Sequence, residues 1–297
     1  TMWKACLDAE TYRDGGGTVA EVTQHRVGIH SRSAMAGVAN IGDVVNWTGS
    51  DMAQANWYAF GRLCWNTELS AAQIAEEFLK QTFSADEHFV EPVRQLLLRS
   101  WDTAVSYMMP LGLHHIFSFG HHYGPEPWCA PPNTRLDWLP KYYHRADSIG
   151  IGFDRTVRGS KAVLQYHEPL ATFYGDLETC PEDYLLWFHH VPWGYVMRNG
   201  LTLWDNLCYI YNDGAEEARE FVDLWQKARP YIDSERYERL LKRFERQAKD
   251  AEWWRDACLL YFQRYSRRSI PADCLPPVHK LEDLMKFKLH IDNYTVA

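Results

Sequence analysis

Apolar positions recur at three- and four-residue intervals over most of the chain, a spacing that predicts helices. In DMAQANWYAFGRLCWN (51–66), Met52, Ala55, Tyr58, Ala59 and Leu63 fall near one helical face. Ser70 with Gln73 makes a capping-box pattern ahead of IAEEFLKQTF. DEHFVEPVRQLLLRSWDTAVSYMM predicts another helix, with Pro92 restricting where it starts or bends. Thr179 and Glu182 bracket Pro181 as a second capping box, opening PEDYLLWFHHV, and the segments TLWDNLCYIYND and AEEAREFVDLWQKARP follow. From about 233 to 268, Tyr237, Leu240, Leu241, Phe244, Ala248, Ala251 and Cys258 keep near-heptad spacing. That predicts the longest helix, with a seam suited to a partner helix or another subunit.

Two stretches depart from this period. AMAGVANIGDVVNWTG holds a short run of small apolar residues ending at Gly42-Asp43, the pattern of a buried strand that delivers polar residues at its C-terminal end. With the helix after it, this makes one βα unit. From about 110 to 178 the period is lost and Gly, Pro and His accumulate. An irregular stretch of that length inside a compact domain is uncommon and usually functional.

Composition sharpens this picture in three ways. The 13 Trp, 17 Tyr and 13 Phe imply either an aromatic-rich core or a pocket where several rings stack on sugars. A net charge of −8 leaves no basic stripe for nucleic acid, and SERYERLLKRFERQAKDAEWWRD alternates sign like a solvated helix face. No apolar run reaches about 18 residues, so no transmembrane helix is expected, and TMWKACLDAETY has neither the basic opening nor the apolar stretch of a secretory signal. Seven scattered Cys without a CxxC fit reduced thiols in a cytoplasmic protein. The length suits one large domain or two moderate ones.

The histidine pairs in LGLHHIFSFGHHYGP invite a metal-site reading. Adjacent side chains diverge in a strand and stand about 100° apart on a helix, so each pair offers one ligand where zinc needs three or four. Glu126, Cys129 and His144 complete a set on paper, and a His-based metal-dependent enzyme therefore stands as one rival reading. Pocket rim, interdomain hydrogen bonds and packing are the other readings of His114, His115, His121 and His122. His189-His190 end a capped helix, where the macrodipole favours imidazolium. YYHRAD offers an Arg145–Asp147 pair to fix the long loop, or an Arg145 that meets a uronate carboxylate.

The long motifs GVANIGDVVNWTGSDMAQANWYAFGRLCWN, PLGLHHIFSFGHHYGPEPW, DWLPKYYHRADSIGIGFDR, GDLETCPEDYLLWFHHVPW and EWWRDACLLYF resemble, in order, the alpha-glucuronidases of glycoside hydrolase family 67. The resemblance runs from MWKACLDAETY to about residue 270. It implies a mainly α chain: the helical C-terminal domain of a (β/α)8-barrel glycosidase, preceded by the last βα unit of the barrel. Residues 1–66 resemble the barrel end and 67–297 the helical domain, which in the family mediates dimer contacts. The implied reaction is hydrolysis, with inversion, of 4-O-methylglucuronic acid from xylooligosaccharides, with no metal or other cofactor. Inversion needs two carboxylates about 6.5–9.5 Å apart. In the family these belong to earlier barrel strands, so no position of this chain is assigned as catalytic, and one or two strands do not close a barrel.

The same resemblance suggests contacts with substrate. Trp138, or as a fallback Trp128, matches a tryptophan that helps sandwich the uronic acid ring. Asp43, Asn46 and Trp47 follow the eighth strand, at the end where barrel enzymes keep their sites; an N-cap and a packed Trp is the plain alternative. His121, His122 and Tyr123 would shape a pocket or an interdomain seam. Trp3 and Lys4 fall on the preceding loop, and Ser50-Asp51 stand where the family often has two His. The expected partners are a glucuronic-acid-substituted xylooligosaccharide and a second copy of the chain, with no nucleic acid and no membrane. A rival of another class is a non-catalytic carbohydrate-binding or assembly module.

Overall fold

In the computed structural model, residues 2–12, 16–27, 34–38, 48–120 and 122–288 are described. Positions 39–47, with most of the expected strand and with Asp43, Asn46 and Trp47, lie outside the described residues, as does His121.

Helices dominate, and several start where the sequence supplies an acceptor for their first amides. The first two are short: α1 (Met2–Asp8) and α2 (Val19–Thr23), the latter opened by a Thr18–Glu21 capping box. α3 (Gln54–Trp65) is the helix expected from 51–66, and α4 (Ala71–Thr82) begins with the Ser70–Gln73 capping box. α5 (Glu87–Met108) carries Pro92 inside it. Its start is fixed upstream of the proline by Asp86, whose carboxylate accepts from His88 N and whose carbonyl accepts from Phe89 N and Val90 N.

Three short helices follow within and after the irregular stretch: α6 (Pro140–His144), α7 (Leu170–Gly175) and α8 (Leu185–Phe188). Two-residue strands β1 (Gly150–Ile151) and β2 (Val191–Pro192) pair antiparallel. The Thr179–Glu182 capping box does not form. The Thr179 hydroxyl instead donates back to Phe173 O, and residues Glu182–Tyr184 make a single 3-10 turn before α8. α9 (Leu203–Lys227) is one unbroken helix across Gly214, where the sequence reads as two segments. α10 (Ser234–Ser266) has the expected length, and α11 (Leu281–Lys286) comes last.

The chain divides into two compact units, residues 1–101 with 220–245, and 102–219 with 246–297. In the first, Trp225, Phe221, Leu79, Phe89, Val93 and Leu240 are fully buried, or nearly so, in one apolar cluster. In the second, Trp204, Tyr211, Trp254 and Cys258 of α9 and α10 pack with Ile116, Ile151, Leu186 and Val191. This second core therefore ties the irregular stretch to two long helices. Among the described residues no helix is long and apolar enough to cross a membrane.

Candidate functional site

An irregular chain cannot satisfy its own backbone through a helical ladder, so side chains must do it. His144, at the end of α6, is 1% exposed. Ala146 N donates to its Nδ1 at 2.9 Å, which leaves Nε2 as the donor to Pro127 O at 3.0 Å. Burial holds this ring neutral, pushed down to about 4. His189 Nε2 lies 2.8 Å from Tyr174 O, and His190 Nδ1 lies 2.8 Å from Gly152 O. Burial also lowers His189. Both rings of the pair are thus tied to loop carbonyls, and His190 Nε2 also lies 3.5 Å from Asp147.

The Arg145–Asp147 pair is likewise not made. Arg145 Nε donates to Tyr142 O and its guanidinium lies 3.8 Å from the centre of the Phe153 ring. Asp147 accepts from Ile149 N and Gly150 N, which closes the turn into β1 and lowers its carboxyl despite the cost of burial.

Between these anchors the aromatic side chains form a shelf. His114 and His115 share a hydrogen bond between their Nδ1 atoms, so one donates and the other accepts. His115 stacks on Tyr143 at 4.1 Å and 8°, and Tyr143 stacks in turn on Trp187 at 6.2 Å and 23°. Burial, with His114 and His122 nearby, pushes His115 down to about 4; burial and Arg155 lower His114. Arg155 is 6% exposed and donates to Trp187 O. Its guanidinium lies 3.8 Å from the Trp187 ring centre and 4.2 Å from that of Phe153. Burial pushes it down to about 10, so it stays charged at neutral pH; among the described residues no carboxylate pairs with it. Neither Arg155 nor Trp187 stands out in the sequence except as part of GIGFDR and DYLLWFHH.

The two candidate tryptophans sit differently. Trp138 closes a 3-10 turn (Leu136–Trp138) and is 52% exposed. Phe119 stacks on it at 6.0 Å and 21°, and the Arg135 guanidinium lies 5.2 Å from its ring centre while pairing with Asp137. The ring is thus held by neighbours and still open to solvent. Trp128 packs edge-on to Tyr261 at 5.9 Å, and among the described residues its buried indole N–H has no hydrogen-bond partner. It serves the core. The Tyr123 hydroxyl donates to Asp250 of α10, a carboxyl that burial raises above its usual range. His122 is exposed with its ring 4.6 Å from Phe117.

Residues of the first unit with proposed roles are engaged internally. Lys4 Nζ reaches Asp8 at 2.6 Å and Thr67 O at 2.9 Å, and Trp3 Nε1 donates to Asn56 O. Asp51 accepts two bonds from Arg239, at 2.9 and 3.1 Å. Among the described residues no three His, Cys, Asp or Glu side chains gather to hold a metal ion. A cavity of about 590 Å³ is bordered by Asp154, Arg158, Glu168, Asp176, His189 and His190 together with apolar Val157, Leu164, Ala171 and Leu177. Chemically, the region offers a half-exposed indole face and, at His115 and His144, imidazoles that burial holds neutral near neutral pH.

Residues 48–274 match the family model described as the C-terminus of glycosyl hydrolase family 67. The chain is 34% identical over 275 residues to alpha-glucuronidase A of Emericella nidulans, covering 92% of this chain and 32% of that protein. It is 33% identical over 273 residues to the probable alpha-glucuronidase A of Aspergillus niger, covering 91% of this chain and 32% of the relative. With the probable alpha-glucuronidase A of Aspergillus fumigatus it shares 36% identity over 233 residues, 78% of this chain and 27% of the relative. The chain thus spans about a third of the length of these curated relatives.

Proposed function

Because this chain belongs to glycosyl hydrolase family 67, as its C-terminal region, we propose that it is the helical portion of an alpha-glucuronidase. The enzyme removes 4-O-methylglucuronic acid from xylooligosaccharides with inversion. Its general acid and base are carboxylates of a barrel region outside these 297 residues, a reading supported by the one-third coverage of the relatives. This portion covers the sugar site and presents Trp138 to the uronic acid ring.

One observation carries the assignment: Trp138 keeps a half-exposed indole while Phe119 and Arg135 fix its orientation. A ring ordered before binding loses little entropy on meeting a sugar. The 33 residues of α10 supply the surface for a second copy, and seven free thiols suit a cytoplasmic setting.

The test is turnover of aldouronic acids by a longer protein that adds the barrel region. Trp138→Ala should lower kcat/KM by about tenfold to a hundredfold, as expected for an aromatic anchor. Its thermal midpoint should shift by only about 1–2 °C, because the ring is half exposed. Unchanged kcat/KM would remove Trp138 from the site, and no turnover by the longer protein would defeat the reading as a whole.

A further inference from the structure

We propose that the cavity between α8 and the turn at Gly112 is a second carbohydrate site, one that takes a neutral pyranose chain rather than the uronic acid. The inference rests on the reading of the chain as part of a carbohydrate-active enzyme. The cavity measures about 460 Å³ and is bordered by His114, Tyr166, Tyr174, Asp183, Tyr184 and Trp187. That volume lies within the roughly 300–1,000 Å³ of small-ligand pockets. Trp138 is not among its walls.

The walls are fixed before any ligand arrives. Tyr174 lies flat on Phe188 at 4.8 Å and 5°, while Tyr184 meets Tyr174 edge-on at 86°. Tyr166 stands edge-on to both Tyr174 and Phe188. Gly112, at φ +82°, lets one wall approach closely: a Cβ there would come within 2.9 Å of the Tyr184 backbone and 3.0 Å of Trp187 N. Rings locked in this way form a rigid platform for the C–H faces of pyranoses.

Charge selects the ligand. Asp183 is the one carboxylate among the lining residues, and His114 is held towards its neutral form by burial and by Arg155. An additional carboxylate would meet repulsion at Asp183, whereas sugar hydroxyls find in it an acceptor. Tyr184 is 49% exposed, so the platform is open to a chain arriving from solvent.

Calorimetric titration of the 297-residue chain with unsubstituted xylohexaose tests this, with glucuronic acid and a proline-rich peptide as separate probes. Xylohexaose should bind. Tyr184→Ala should weaken it about tenfold, the scale of one lost ring contact at a binding site. Tyr184→Phe, which keeps the ring, should stay within about threefold of the parent. Absence of xylohexaose binding, loss of it in Trp138→Ala with retention in Tyr184→Ala, equal binding of glucuronic acid, or preference for the peptide would each overturn the proposal. Turnover of aldouronic acids by the longer protein without xylohexaose binding here removes this site and leaves the enzyme reading. Xylohexaose binding without such turnover does the reverse.

Discussion

Trp225 in the first unit and His144 in the second are both sealed from solvent, yet they are held by different physics. Around Trp225 the backbone is helical and bonds to itself, so the side chains have only to fill space. Phe83, Phe89, Tyr237 and Phe244 all have ring centres within 6.4 Å of Trp225, and its N–H donates to Tyr237 O. Around His144 the backbone has only the short α6 and the two-residue β1–β2 pair, and polar side chains must end its remaining carbonyls. His144, His189, His190, Arg155, Trp193 and Arg198 each reach a main-chain oxygen between residues 127 and 187. A helical core thus spends its side chains on volume and an irregular one spends them on hydrogen bonds. The second kind is the more exposed to pH.

The most severe test of the first kind is Trp225→Ala. Removing a fully buried indole should cost about 3–5 kcal/mol, read as a fall in the urea midpoint with little change of slope. A smaller loss would mean that the cluster collapses around the gap. The second kind should fail in acid. His144 and His115 are pushed down to about 4 from 6.5, and His189 is lowered as well. Between about pH 6.5 and 4 the unfolded chain therefore binds more protons than the folded one, so stability falls as pH falls through that window. For His144 the full loss is on the order of 3 kcal/mol. Thermal midpoints measured from pH 7 to pH 4 should drop, and the drop should be shallower in His144→Gln, which cannot titrate. Equal slopes would mean that the ring titrates alike in the folded and unfolded chains.

This contrast also explains what was legible in the sequence. Periodicity located α3, α4, α5 and α10 because their apolar faces are repeated, and in α4, α5 and α10 a side-chain acceptor lies just ahead of the first turn. The density of His in the loop was visible, but its purpose was not. Whether His144 bonds to Pro127, or Arg145 to Phe153 rather than Asp147, depends on which distant carbonyl or ring the fold brings near. No spacing rule encodes that. The Thr179 capping box fails because the chain is still extended at Pro181, with ψ 140°, and the turn begins only at Glu182. Trp138 is picked out by the resemblance to the family, whereas Arg155 and Trp187 needed the structure to bring them together.

The smallest expected effect is the most diagnostic, because its sign differs between the two units. Gly61 lies inside α3 of the first unit and Gly214 inside α9 of the second. On helix propensity alone, Ala at either position should stabilise by about 1 kcal/mol. At Gly61 a new Cβ meets nothing within 4 Å, so Gly61→Ala should keep most of that gain. At Gly214 the Cβ would lie 2.7 Å from Tyr107 N and 2.8 Å from Ser106 Cβ, both on α5. Backbone on that side leaves no flexible atom to yield, and overpacking of this kind costs about 1–3 kcal/mol. Gly214→Ala should therefore destabilise by up to about 2 kcal/mol net of propensity. Chemical denaturation of the two variants separates the explanations: a gain at both positions would mean that α9 can move away from α5. Opposite signs would mean that Gly214, which reads in the sequence as a break between two segments, is instead the contact that lets one long helix lie close against another.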